Sequence, residues 1–355
     1  MKKLHILGIF FLINMTPFVN IFAQDSELYI SLNIQKAYKN QTRSMSGLPG
    51  SNYWQNQANY QIDVDFDPKS RLLKGKAEII YFNNSPDTLR EMYINLFPNI
   101  FKKGQIRDEV VEYSDETDGL KIENISINKA VVDTAKENQR IIYGPTNLKV
   151  ILDSVIPPKT QAPINIKWHY IINKGSHSRT GGVDSTTFFI AYFFPHIAVY
   201  DDIDGWDDFH FKGDAEFYND FGDFDVNITV PENFVVWGTG SLQNPDEVLQ
   251  KKYLKRFQSA LTAESIVHIV DSTEALQKNI TTHNTQNVWK FKAKNVSDFA
   301  FATSDHYLWD ATSIIVDTTS GERVFIDVAY NKDAQDFYNI TDIARRSIEY
   351  MSFVF

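Results

Sequence analysis

A mainly β fold, built as a large antiparallel saddle or sandwich, is what this sequence predicts. Three observations lead there. Apolar and polar residues alternate strictly in several segments: Tyr60, Ile62, Val64 and Phe66 with Gln61, Asp63 and Asp65 between them; Ile164, Ile166, Trp168, Tyr170 and Ile172; and Phe224, Val226, Ile228 and Val230. Pro, Gly, Asn or Asp turn residues bound each segment, as the short connections of an antiparallel sheet require. No alternation of strand and helix patterns argues for a parallel α/β core.

In chain order, Lys2 and Lys3 precede a mainly apolar run from Leu4 to Phe22 that ends at Ala23-Gln24, which reads as a signal peptide over 1–23. Asn14, Pro17 and Asn20 interrupt the run and argue against a spanning helix. No second long apolar segment follows, so the expected product is exported, periplasmic or secreted, with no membrane span after signal removal. Residues 24–52 read as an irregular lead-in, because Asn40, Gln41, Ser44, Ser46, Gly47, Pro49 and Gly50 make its second half polar. The β domain is expected over 53–315, with further strands at 77–82, 92–97, 148–152 and 289–293, and another beyond it at 324–328.

Two segments have helical period. Asn244-Pro-Asp-Glu247 is a helix start, and Leu249, Tyr253, Phe257 and Leu261 follow at spacing four as one apolar stripe. Near the end, Phe337, Thr341, Ala344, Ile348, Met351 and Phe355 step by four and three, with Arg345, Arg346 and Glu349 on the other side. This second helix has no Gly or Asn cap and finishes on Phe353-Val-Phe355, so it is expected to be cut part-way along.

Composition removes several function classes. With no cysteine, the roughly 330 residues left after processing must be held by a hydrophobic core, not by disulfides. A formal charge of −10 argues against nucleic acid as a partner, since phosphate binding needs clustered Lys and Arg. A zincin site needs two His one helical turn apart with a Glu beside the first. None of the eight histidines is followed by Glu, and no two lie four apart. His169, His177, His196 and His210 could meet only in space, and satisfied histidines are far commoner than such a structural metal site. There is no Gly-x-Ser-x-Gly elbow and no phosphate loop. The carboxylates from Asp201 to Asp225 leave room for a glycosidase pair, but nothing singles out two of the ten. The part of that run that echoes a calcium loop has Tyr200 and Phe211 where carboxylates belong.

The same region carries a resemblance. The run Phe188-Phe-Ile-Ala-Tyr-Phe-Phe-Pro-His-Ile-Ala-Val-Tyr-Asp-Asp-Ile-Asp-Gly-Trp206, then Ala215-Glu-Phe-Tyr-Asn-Asp-Phe-Gly-Asp-Phe-Asp-Val-Asn-Ile-Thr-Val-Pro231, then Val236-Trp-Gly-Thr-Gly-Ser-Leu-Gln-Asn-Pro245, resembles the N-terminal domain of aminopeptidase N-type (gluzincin) zinc metallopeptidases. Tyr53-Trp-Gln-Asn, Asp298-Phe-Ala-Phe-Ala-Thr-Ser and Ala344-Arg-Arg-Ser-Ile-Glu-Tyr-Met351 extend it over nearly the whole mature chain.

The resemblance implies a β saddle packed on a thermolysin-like catalytic domain, closing one side of its active site. It further implies that residues 316–355 are the first strand and helix of that α/β domain, here incomplete. The family's Gly-x-Met-Glu-Asn segment, His-Glu-x-x-His helix and later Glu ligand do not occur in this sequence, so zinc is expected in a region beyond it and no cofactor in this chain. Peptide substrates would be met through the full-length enzyme, and no catalytic residue is expected here. The family grips the substrate amine with a Gln or Glu shortly before its Phe-Pro pair. Asp184 and Tyr192 are the substrate-binding candidates by position, with Asp201 and Asp202 as positioning or loop residues. A different class, a stand-alone exported β-sandwich module binding peptide or glycan, is compatible with 14% aromatic residues.

Overall fold

The computed structural model describes residues 29–354 except 109, 134–139 and 177–178. The expected signal peptide, His177 and Phe355 lie outside the described residues. Two compact units are present, residues 1–52 and 53–355. The first holds a helix, Leu32–Lys39, in the segment expected to be irregular. Its Ala37 is buried, and the Thr42 hydroxyl donates to the Ala37 carbonyl, which closes the helix end onto the polar stretch that follows.

The second unit is mainly β, as the alternation predicts. Its largest sheet runs in the order Ser241–Leu242, Gln286–Val296, Gly222–Pro231, Gln57–Asp67, Leu72–Asn83, Thr160–Ile171, Lys121–Ile127, Ala130–Val132. Pairing is antiparallel except between Gln57–Asp67 and Gly222–Pro231, which run parallel with Tyr60 opposite Phe224. Two four-stranded sheets and one three-stranded sheet complete the unit. The inward residues Tyr60, Ile62, Val64 and Phe66 are all buried, as are Ile164, Ile166, Trp168 and Tyr170, and Phe224, Val226, Ile228 and Val230. Each fully buried side chain of this size contributes about 1.5–3 kcal/mol, so this shared inner face is the main source of stability.

One glycine sets the thickness of that layer. Gly75 sits opposite Trp168, and a Cβ there would lie 2.2 Å from the indole ring. The open space lets Trp168 lie across the neighbouring strand, where its Nε1–H donates to the Phe193 carbonyl at 3.0 Å. The large sheet is thereby tied to the Phe188–Trp206 run.

The helices depart from the sequence pattern in instructive ways. The stripe from Leu249 to Leu261 was expected on one helix, but the chain forms two, Pro245–Val248 and Lys251–Ala260. Leu249 between them is extended (ψ 141°) and bridges Thr281, so a strand-like pairing breaks the helix. Asn244 does not cap. Its amide donates to Glu247 and to the Val288 carbonyl and accepts the Lys290 N–H, fastening the turn to the sheet. The terminal helix forms over Ile340–Val354 against the strands Leu308–Asp317 and Glu322–Tyr330. Of its expected apolar stripe only Thr341 is buried, Ala344 and Ile348 are half-buried, and Met351 stays 60% exposed. The strand Leu308–Asp317 spans the expected 315/316 boundary and pairs with Val267–Val270 on one side and Glu322–Tyr330 on the other.

Candidate functional site

Asp184 lies in the turn between the strands Thr180–Gly182 and Thr187–Ile190. Gly181, at φ +125°, is required here: a Cβ would meet the Gly175 carbonyl oxygen at 1.9 Å, where the preceding loop crosses the hairpin. The Asp184 Oδ1 accepts the Thr186 N–H at 2.9 Å, an Asx turn. Its Oδ2 lies 3.4 Å from His306 Nε2, while His306 Nδ1 lies 2.9 Å from Asp305 Oδ1. Asp305 is buried and also accepts from the Thr186 hydroxyl and the Lys278 ammonium. Burial pushes this carboxyl up, but the bonds from Lys278, Thr186 and His306 together outweigh it and hold Asp305 below the usual carboxylate range.

An imidazole between two carboxylates invites comparison with a nucleophile–base–acid triad. The geometry does not allow one. A triad needs a hydroxyl on the ring nitrogen opposite the carboxylate. Here the Thr186 and Ser304 hydroxyls, at 3.2 and 3.4 Å, both approach Nδ1, the nitrogen already facing Asp305, and Nε2 faces Asp184. The network instead clamps the hairpin turn to the Ser304–Tyr307 turn and to Lys278.

Beside this clamp opens a cleft of about 640 Å³, lined by Lys69, Arg71, Glu112, Asp115, Lys174 and Asp184. Asp115 is buried and accepts the Gly175 N–H, which fixes the cleft wall. A neighbouring cleft of about 420 Å³ shares Arg71 and Ser114 with the first.

Tyr192 is held elsewhere. It is buried, with φ +40°, and its ring packs against Phe97, Phe211 and Phe217 at centroid distances of 6.3, 6.3 and 5.0 Å. The left-handed backbone turns the chain so that Phe193 and Phe194 enter the main core and Tyr192 a separate aromatic cluster. The structure thus does not bring Asp184 and Tyr192 together: one lines the cleft, the other a core. Asp201 closes a tight loop, accepting the Ile203 and Asp204 N–H groups and the Tyr218 hydroxyl.

Two carboxyls stand out that the sequence did not single out. Burial pushes Asp220 up to about 6, partly offset by a hydrogen bond from Gln55, and pushes Asp298 up to about 7. Both act on Tyr60, whose hydroxyl accepts the Ile197 N–H and whose own titration burial raises far above the ordinary range. Each sits in an aromatic stretch, Tyr218-Asn-Asp-Phe221 and Asp298-Phe-Ala-Phe301, which is the only local signal of a carboxyl held in apolar surroundings. His306 fails the metal-spacing requirement, and its neighbour Asp305 is the local clue to the pair.

The described residues offer zinc no seat: no group of three or more His, Cys, Asp or Glu side chains among them is placed to hold a metal ion. His169 pairs with Glu123, and His196 is buried among the rings of Tyr60, Phe97 and Phe194. No zinc chemistry is therefore assigned to these residues. No described helix is long and apolar enough to cross a membrane.

No family model matches the sequence, and no curated protein matches it. Solved structures do. An M1 zinc metallopeptidase from Deinococcus radiodurans aligns at 10% identity and TM-score 0.44, over 86% of this chain and 54% of that one. A mutant of it bound to a Tyr-Ser-Ala substrate aligns at 9% identity and TM-score 0.45, over 86% and 55%. Aminopeptidase A of Legionella pneumophila, in complex with aspartic acid, aligns at 10% identity and TM-score 0.45, over 87% of this chain and 28% of that one. The chain thus spans about half the length of the Deinococcus structures. Likeness at this level carries nothing about activity to this chain.

Proposed function

We propose that this chain is the non-catalytic N-terminal part of an exported zinc-dependent aminopeptidase, one that removes N-terminal residues from peptides. Its part in that enzyme is to form a wall of the substrate cleft and to pack on the domain that carries the zinc. The sequence basis is the resemblance of the Phe188–Trp206 run and its flanks. The structural observation that carries the reading is the outward face of the terminal helix. Ile343, Tyr350, Phe353 and Val354 are each more than half exposed, on a helix that packs by its opposite face. Apolar exposure this concentrated marks a protein interface. A following domain with the His-Glu-x-x-His helix would cover it.

The test is an assay on aminoacyl nitroanilides with added zinc. The chain of 355 residues is expected to show no turnover. A longer product of the same gene that continues into His-Glu-x-x-His is expected to be active and to lose activity to a chelator. Zinc-dependent turnover by the shorter chain overturns the proposal, and so does coding sequence that stops at Phe355.

A further inference from the structure

Both clefts open at one end of the largest sheet, where the Gln57–Asp67 and Leu72–Asn83 hairpin turns and Thr160–Ile171 ends. We propose that they form one continuous trough that binds an extended peptide, with a carboxylate of the peptide seated on the Arg71 guanidinium. The assignment is independent of the peptidase reading, because it concerns binding by these residues alone.

Arg71 is the junction: together with Ser114 it lines both clefts. Its backbone is left-handed, φ +59°, which sets the direction in which the turn sends the side chain. The turn is locked from both sides. The Arg71 carbonyl accepts the Ile172 N–H, and Arg71 Nη1 donates to the Ile172 carbonyl at 2.9 Å. One donor of the guanidinium is thereby spent on orientation and four remain. No described carboxylate forms an ion pair with Arg71, nor with Lys174 on the adjoining wall. A fixed, half-buried guanidinium with its fork unspent matches the two oxygens of a carboxylate.

The rest of the lining selects the class of ligand. Lys69, Arg71 and Lys174 are matched in the larger cleft by Glu112, Asp115 and Asp184. That balance gives a polyanion such as nucleic acid or a sulfated glycan no net attraction and suits a chain that carries both signs. In the smaller cleft Lys121 and His169 supply further polar contacts, the imidazole being oriented by Glu123 at 2.6 Å from Nδ1.

The experiment measures binding to the full chain by fluorescence anisotropy, using dansyl-Gly-Ala-Ala-Ala with a free C-terminus, its amidated form, and an amidated form with Glu at the third position. Either acid-bearing probe is expected to bind at least tenfold more tightly than the amide without acid, and whichever does so identifies a terminal or a side-chain carboxylate. Arg71→Asn removes the guanidinium while tolerating the left-handed backbone, and is expected to abolish that preference. Lys159→Asn is the matched control: Lys159 has φ +58° at the opposite end of Thr160–Ile171, and its replacement is expected to leave binding unchanged. Equal binding of all three probes by the unaltered chain overturns the proposal, as does no binding at millimolar probe or an undiminished preference in Arg71→Asn. Heparin that binds more tightly than the acidic probes overturns the peptide assignment.

Discussion

The inner face of the large sheet around Trp168 and the rim around Asp184, a turn of a separate four-stranded sheet, are built by opposite rules. At Trp168 everything is apolar and redundant: Ile166, Phe193, Phe194 and Phe301 are buried with it, and one hydrogen bond to Phe193 suffices. In the turn itself the polar groups are matched one to one, the Thr186 hydroxyl to Asp305 and His306 to Asp184. The first arrangement tolerates rearrangement poorly because its volume is full. The second is more forgiving at its exposed end, where water replaces any lost partner.

Three measurements test that contrast. The largest effect is expected for Trp168→Ala, at about 3–5 kcal/mol of lost stability in denaturant unfolding, since it empties a packed site and leaves the Phe193 carbonyl without its donor. A cost below about 1 kcal/mol would mean the layer is not the main support of the fold.

The next concerns pH. Asp220 and Asp298 titrate in the folded state near 6 and near 7, above the ordinary 3.8, because burial disfavours their charged forms. A raised carboxyl favours folding while it is protonated, and that contribution is lost as pH rises through the folded value. Stability should therefore fall between about pH 4 and pH 7, the span from the ordinary to the folded values, and Asp298→Asn should flatten the fall by an amount on the order of a few kcal/mol. Melting profiles at about pH 4 and about pH 7 measure it, and an unchanged slope in the variant removes Asp298 as the cause. Asp305, held low, works the other way: its contribution is present at neutral pH and lost only in acid, below about pH 4.

The smallest effect is expected for Asp184→Asn, below about 0.5 kcal/mol, because the amide oxygen can still accept the Thr186 N–H and the pair with His306 is partly exposed. A loss above about 2 kcal/mol in the same melts would place the Asp184–His306 contact among the supports of the fold.

Much of the inner face was legible because its signal is local. Alternation at Tyr60–Phe66 states which side chains point inward whichever strands lie beside them. The choice of neighbour was not legible, since Gly222–Pro231 has the same pattern as any other strand and nothing local announces that it pairs in parallel. The helix break at Leu249 was hidden for a related reason: a stripe of spacing four reads as one helix until Thr281, distant in sequence, takes the middle residue as a partner. At the rim the sequence pointed to Asp184, which does line a cleft, but not to Arg71, whose left-handed turn follows Asp67-Pro-Lys-Ser without glycine. Tyr192 is a substrate-binding candidate only through the resemblance, and its backbone turn sends the ring into a core instead. Raised carboxyls such as Asp220 are the least legible, because burial of one acid among ten is decided by tertiary packing alone.

The parallel pairing of Gln57–Asp67 with Gly222–Pro231 also sets a waiting time. The two strands are joined side by side, with the Asn227 amide donating to Asp63 across 164 positions. At ordinary synthesis rates of about 5–20 residues per second, the second strand follows the first by about 10–30 s. Through that interval one flank of Gln57–Asp67 can be covered by its hairpin partner, while the other presents unpaired amides and carbonyls, an edge open to pairing with a second nascent copy. The join that completes the sheet is therefore also the one that leaves the newborn chain longest in need of protection.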